Sequence, residues 1–120
     1  MKRKIVTWNI QHGGGSRASL VADWILRLDA HLIIITEFRL GTSGYFLFDV
    51  LRAAEYYLSY PNVGEGVNTL LVASRSEIVE EKPLDDTLPD QRHLWVVNVG
   101  WLELCAAYMP LGKQKHPYWK

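Results

Sequence analysis

Two oxygen-bearing side chains define the chemistry within reach of this chain. Asn9 lies near the end of the stretch Lys4-Ile5-Val6-Thr7-Trp8-Asn9-Ile10-Gln11, and Glu37 follows the aliphatic run Leu32-Ile33-Ile34-Ile35 after Thr36. An amide oxygen and a carboxylate delivered to one place suit a hard divalent cation such as magnesium, which takes oxygen ligands and keeps several waters. Arg39 and Arg92 either clamp a phosphate or pair with Glu37 and Asp90. Asn68 can line the same cleft. His12, beside Gly13-Gly14-Gly15, is either a ligand or an ordinary surface imidazole. The glycine run lacks the Gly-Lys-Ser/Thr ending of a nucleotide-binding phosphate loop.

For Asn9 and Glu37 to meet, two strands must run side by side in the same direction. Ile5, Val6, Trp8 and Ile10 are β-branched or aromatic, and the glycines behind them form a turn or loop. Ser16 can cap a helix over 17–28, in which Leu20, Val21, Trp24, Ile25 and Leu28 recur at helical spacing. The run 32–35 then reads as a strand covered on both faces. Strand, helix and strand close as a right-handed crossover, so both strands end on one side and Glu37 approaches Asn9. Ligands of open α/β sheets gather at that carboxyl edge.

Downstream, residues 41–44 read as a loop, followed by an amphipathic helix through Phe46, Leu47, Val50, Leu51 and Ala54. A short strand over 56–60, a flexible loop over 63–66 and a buried strand over 67–74 come next. A strand over 78–82 is expected to pair back on the 67–74 strand, with an acidic loop over 83–91 behind it. Residues 92–99 and 101–108 read as a hairpin turning at Asn98-Val99-Gly100. Lys113, Lys115 and Lys120 make a small basic tail, a solvated end or a steering element for an anionic substrate.

With 120 residues the chain fits one domain, residues 1–120. Its formal net charge of zero argues against a dedicated sequence-independent nucleic-acid binder, which needs a basic face to neutralise phosphates. Cys105 is the only cysteine, so no internal disulfide forms and a reducing compartment fits. The basic start Met1-Lys2-Arg3-Lys4 is followed by too short an apolar run for a signal peptide, and no run reaches membrane-spanning length. A cytoplasmic protein without membrane insertion is expected.

Several segments now fall into a known order. A strand ending in Thr7-Trp8-Asn9, a second ending in Thr36-Glu37, the strand Asn68-Thr69-Leu70-Leu71-Val72-Ala73-Ser74-Arg75, an Arg92-led strand and Ala107-Tyr108-Met109-Pro110 follow one another. Their order and spacing resemble the N-terminal half of the endonuclease/exonuclease/phosphatase superfamily, over nearly the whole chain. The resemblance implies an α/β (α+β) fold: half of a two-sheet β-sandwich flanked by helices, starting with a right-handed βαβ unit. It also implies metal-dependent hydrolysis of phosphate esters, nucleic acid among them, with Mg2+ or Mn2+. Carried over by position, Asn9 and Glu37 correspond to the metal and phosphate residues, and Tyr108 to the tyrosine that contacts the phosphate. Gln11 stands where some members carry an acidic residue.

The family's second half supplies an Asp-x-Asn motif and a closing Asp-His pair, and neither occurs in these 120 residues. The implied function is thus a nuclease-like phosphoesterase domain of weak or no activity as the isolated chain. The alternative is a non-catalytic, truncated relative that binds a partner or an anionic ligand. Partner strands of the second sheet are to come from the other half as well, leaving a sheet edge and an apolar face uncovered. The 120 residues are then a gene fragment, a self-associating chain or a rearranged smaller domain. Self-association through the exposed sheet as a homodimer is the expectation, with Trp95, Trp101 and Trp119 among the residues that motivate it.

Overall fold

A computed structural model describes residues 2–11, 13–85, 87 and 94–108. Among the described residues seven strands and two helices form three layers. The first sheet has strand order β1-β2-β4-β3, from β1 (Ile5–Asn9), β2 (Leu32–Phe38), β3 (Tyr57–Ser59) and β4 (Thr69–Ser74). The second has order β5-β6-β7, from β5 (Glu80–Pro83), β6 (Leu94–Asn98) and β7 (Glu103–Ala107). Helices α1 (Ala18–Leu28) and α2 (Thr42–Ala53) cover the outer face of the first sheet.

Alternation along the strands assigns the two faces of the first sheet. Ile33, Ile35, Leu71 and Ala73 pack with Val21 and Ile25 of α1 and Leu47, Phe48 and Leu51 of α2. Leu32, Leu70 and Val72 point the other way, onto Val97, Val99 and Ala106 of the second sheet. Every residue of β4 is therefore buried, as expected for a strand covered on both faces. The sheets are also tied by polar contacts: Trp95 Nε1 donates to Ser59 Oγ at 2.7 Å, and Ser59 Oγ donates to Glu81 Oε1 at 2.8 Å. Trp101 Nε1 reaches Ser76 Oγ at 3.1 Å, with the Arg3 guanidinium stacked 4.5 Å above the Trp101 ring.

The opening βαβ unit forms as expected. β1 and β2 pair in parallel, Ile5 against Leu32 through Asn9 against Thr36, joined through α1. Before α1 a 3-10 turn spans Gly15–Arg17, so Ser16 lies inside that turn rather than at the cap, and no side chain caps α1. Of the apolar residues expected on its inner face, Val21 and Ile25 are buried, whereas Leu20 and Trp24 remain 58% and 48% exposed.

Two expectations are corrected. The segment 41–44 is not all loop: α2 begins at Thr42, with the Tyr45 amide donating to Gly41 O at 2.8 Å. Nor does the segment after β4 pair back on it. β2 and β3 already occupy both edges of β4, so β5 pairs with β6, Glu80 against Asn98 through Pro83 against Trp95. The second sheet has three strands from this chain among the described residues. The hairpin expected at Asn98-Val99-Gly100 is the antiparallel β6–β7 pair, its turn closed by Gly100 N donating to Asn98 Oδ1. Among the described residues no helix is long and apolar enough to cross a membrane.

Candidate metal and phosphate site

The site is built by an irregularity at the end of β2. Leu32 and Ile34 face the second sheet, and strict alternation would send Phe38 there as well. Against β4, however, Thr36 pairs with Leu70 and Phe38 with Thr69, so one extra residue, Glu37, is inserted as a bulge. Phe38 is thereby turned into the helix layer, stacked 5.3 Å from Phe48, and Glu37 adopts a left-handed φ of 56°. That conformation is uncommon for a residue with a Cβ. Glu37 O accepts the Gly13 amide at 2.7 Å, which ties the bulge to the glycine loop behind β1.

The bulge leaves the Glu37 carboxylate beside Asn9: Asn9 Nδ2 donates to Glu37 Oε2 at 2.6 Å. Asn9 Oδ1 in turn accepts the Gln11 amide at 2.9 Å, and this fixes which way the side-chain amide points, since a flip would set NH2 against N–H. The loop that carries this amide is held twice more. Gly14 N donates to Gln11 O at 3.1 Å, and the Arg17 guanidinium donates to Ile10 O and Gln11 O at 2.9 and 3.0 Å. Asn9 is exposed and Glu37 half-buried, so a solute can reach both.

A second group converges next to the first. Arg39 Nε donates to Asn68 Oδ1, and Asn68 Nδ2 lies 3.5 Å from Tyr108 Oη. These three side chains come from just after β2, just before β4 and just after β7, so Tyr108 arrives from the second sheet. Gly13 links the two groups: its amide holds Glu37, while a Cβ there would stand 3.0 Å from Arg39 Cβ. Gly44 lets α2 start against the same segment, for a Cβ on it would lie 2.1 Å from Arg39 O. A cavity of about 180 Å³ opens beside Arg39, between Gly13, Ser43 and Gly66. The far wall is fastened by Gly66 N donating to Leu40 O and by the Tyr45 hydroxyl donating to Glu65, a bond that holds the Tyr45 phenol above its ordinary pKa.

Of the candidates read from the sequence, Asn9 and Glu37 touch one another, and Arg39, Asn68 and Tyr108 form the adjoining cluster. His12 and Arg92 lie outside the described residues, as do the lysines of the tail. Arg17 and Gly44 were not legible as site-building residues, and Gln11 was legible only as a family position, not for its backbone bond to Asn9. The only sequence signal for Arg17 and Gly44 was the density of glycine around the loop. Among the described residues no three His, Cys, Asp or Glu side chains converge, so a cation here would rest on few protein oxygens. One carboxylate and one amide fit a magnesium-like ion that keeps much of its water, and do not fit a closed zinc site.

A family model described as the endonuclease/exonuclease/phosphatase family matches residues 6–108. Among solved structures, a 3′ phosphatase from Neisseria bound to product DNA hairpin is similar with TM-score 0.71 and 20% identity, over 89% of this chain and 41% of that one. An AP endonuclease from Archaeoglobus fulgidus gives 0.75 and 18%, over 92% and 42%. An endonuclease/exonuclease/phosphatase from Beutenbergia cavernae gives 0.60 and 20%, over 90% and 39%. This chain thus spans about two-fifths of the length of the structures it matches. No curated protein sequence matches it. At these identities the structures speak for the fold, and the model matched across both sheets speaks for descent: the chain belongs to the endonuclease/exonuclease/phosphatase family.

Proposed function

We propose that this chain carries the N-terminal half of a metal-dependent phosphoesterase site, nuclease-like in its substrate class, with Glu37 and Asn9 holding Mg2+ or Mn2+. The 2.6 Å bond from Asn9 Nδ2 to Glu37 Oε2 carries the reading, because it fixes a carboxylate on an exposed sheet edge where an anionic ester can approach. Glu37 supplies the charged ligand. Asn9 orients it, and Asn9 Oδ1, which accepts one bond from Gln11, has a second lone pair to offer a cation. When bound, such an ion polarises a phosphoryl oxygen and offsets the charge that develops during hydrolysis. Tyr108 donates a hydrogen bond to another phosphoryl oxygen, and Arg39, positioned by Asn68, lies on the anion's approach. The neighbours that carry a 3′ phosphatase or AP endonuclease name fit a nucleic-acid or other phosphate-ester substrate.

As the 120-residue chain we expect weak or no turnover, since the Asp-x-Asn and Asp-His motifs that would position the attacking water are absent from it. The scarcity of protein ligands favours, as a second reading, a relative that binds an anionic ligand or a partner without catalysis. A phosphodiester assay with and without magnesium separates the two. Metal-dependent turnover lost in Glu37→Ala supports the first; robust turnover surviving that substitution removes it. We further propose a cytoplasmic location and self-association through the exposed sheet.

A further inference from the structure

Arg39, Asn68 and Tyr108 come from three separate elements, and the donors and acceptors they carry leave one arrangement of protons. Arg39, just after β2, turns Nε toward the side-chain oxygen of Asn68, just before β4. A guanidinium has donors only, so the Asn68 atom that meets it has to be the oxygen. This settles which end of the amide is which, a choice the heavy atoms alone leave open. The NH2 end then faces Tyr108 Oη, 3.5 Å away. An amide nitrogen has no lone pair to offer, so the phenol oxygen accepts from it and the phenol proton is turned away from Asn68. The separation is at the long limit of a hydrogen bond, and bonds of this kind tighten in the complex with substrate. All three residues are half-buried, which limits competition from water. The donors thus run one way: Arg39 Nε to Asn68 Oδ1, Asn68 Nδ2 to Tyr108 Oη, and the phenol O–H onward. Hydrogen bonds in such a chain polarise one another, so each donor strengthens the next.

We infer that Asn68 is a positioning residue rather than one that binds substrate: it makes Tyr108 a hydrogen-bond donor to a phosphoryl oxygen. The inference deepens the phosphoesterase reading and rests on it. Aspartate has nearly the same shape as asparagine but, when ionised, only acceptor oxygens. At position 68 it would keep its hold on Arg39 and take the phenol proton for itself. Tyr108 would then turn a lone pair to the anion, whose oxygens have no proton to give it. Asparagine at this position therefore sets the polarity of the tyrosine, and a residue of the same size with the opposite hydrogen-bonding sense reverses it.

Two measurements on the 120-residue chain test this. The first follows the side-chain amide signal of Asn68 in a nitrogen–proton correlation spectrum, assigned through bonds to the Asn68 backbone. Tyr108→Phe keeps the ring and removes only the hydroxyl, so the signal is expected to move in that variant and to stay in place in Tyr57→Phe, whose side chain is half-exposed on β3. The second is the affinity for inorganic phosphate in the presence of magnesium, by calorimetry. Removing the Tyr108 hydroxyl is expected to weaken binding roughly tenfold in the wild-type background, the scale of a hydrogen bond to a charged group, and to change nothing in an Asn68→Asp background. That comparison cancels the bare charge of the aspartate, which is present on both sides of it. A hydroxyl that costs as much to remove with Asp as with Asn at position 68 overturns the inference, since the tyrosine then donates without direction from Asn68. An amide signal that Tyr108→Phe leaves in place, in a wild type that binds phosphate, overturns the inference alone. A wild type that binds no phosphate overturns it together with the phosphate reading of the cluster. Should Asn68→Asp fail to fold, the Tyr108→Phe spectrum still decides.

Discussion

Glu37 carries two burdens, a charge and a backbone conformation, and substitutions separate them. At φ 56° any side chain with a Cβ pays for the left-handed region, on the order of 1 kcal/mol, while glycine does not. Glu37→Gly and Glu37→Ala both remove the carboxylate, yet the glycine variant should be the more stable by about 1 kcal/mol in urea unfolding. Equal stabilities would mean that the bulge relaxes once the carboxylate is gone. The pairing of Asn9 with Glu37 was legible in the sequence because it needs only two strand ends and a parallel crossover. The bulge was not, since an inserted residue leaves no mark on composition; the sole hint is Phe38, an apolar residue at a position that alternation sends to the wrong face.

At the scale of elements, the site depends on how closely the glycine loop and the start of α2 approach the end of β2. Gly44→Ala ought to gain about 1 kcal/mol of helix propensity, but its Cβ meets Arg39 O at 2.1 Å, and backbone cannot swing aside as a flexible side chain can. Overpacking of this kind costs about 1–3 kcal/mol, so the clash wins and the variant melts at lower temperature. Arg17→Ala should lower stability less, by about 1 kcal/mol for the guanidinium bonds to Ile10 O and Gln11 O, and weaken metal affinity by loosening Asn9. An unchanged affinity would show that the loop keeps its shape unaided. Helix and strand identities followed from apolar periodicity, while the start of α2 did not. A Gly-Thr-Ser-Gly run reads as loop, and only the packing of Gly44 against Arg39 shows why glycine is needed one turn inside a helix.

Across the whole molecule, the contact between the two sheets brings Tyr108 to Asn68, so the Arg39–Asn68–Tyr108 cluster exists only while the sandwich is closed. Trp95→Phe keeps most of the ring packing but removes the indole donor to buried Ser59. The expected cost is about 1–2 kcal/mol in chemical denaturation, and a neutral result would mean that water takes the donor's place. The two-sheet arrangement flanked by helices was legible only through the family resemblance carried by the order of the segments. The β6–β7 hairpin was legible too, but the pairing of β5 with β6 rather than β4 was not, because it depends on which edges of β4 are already occupied.

The most direct test of the proposed metal site is thermal unfolding of the wild-type chain and of Glu37→Gln during titration with magnesium or manganese. A site that binds only the folded state adds about 2.7 kcal/mol at a hundredfold excess over Kd, a rise of several degrees for a domain of this size. The account predicts that rise in the wild type and its loss in Glu37→Gln. A wild type that no ion stabilises, or a variant stabilised as much as the wild type, would contradict it.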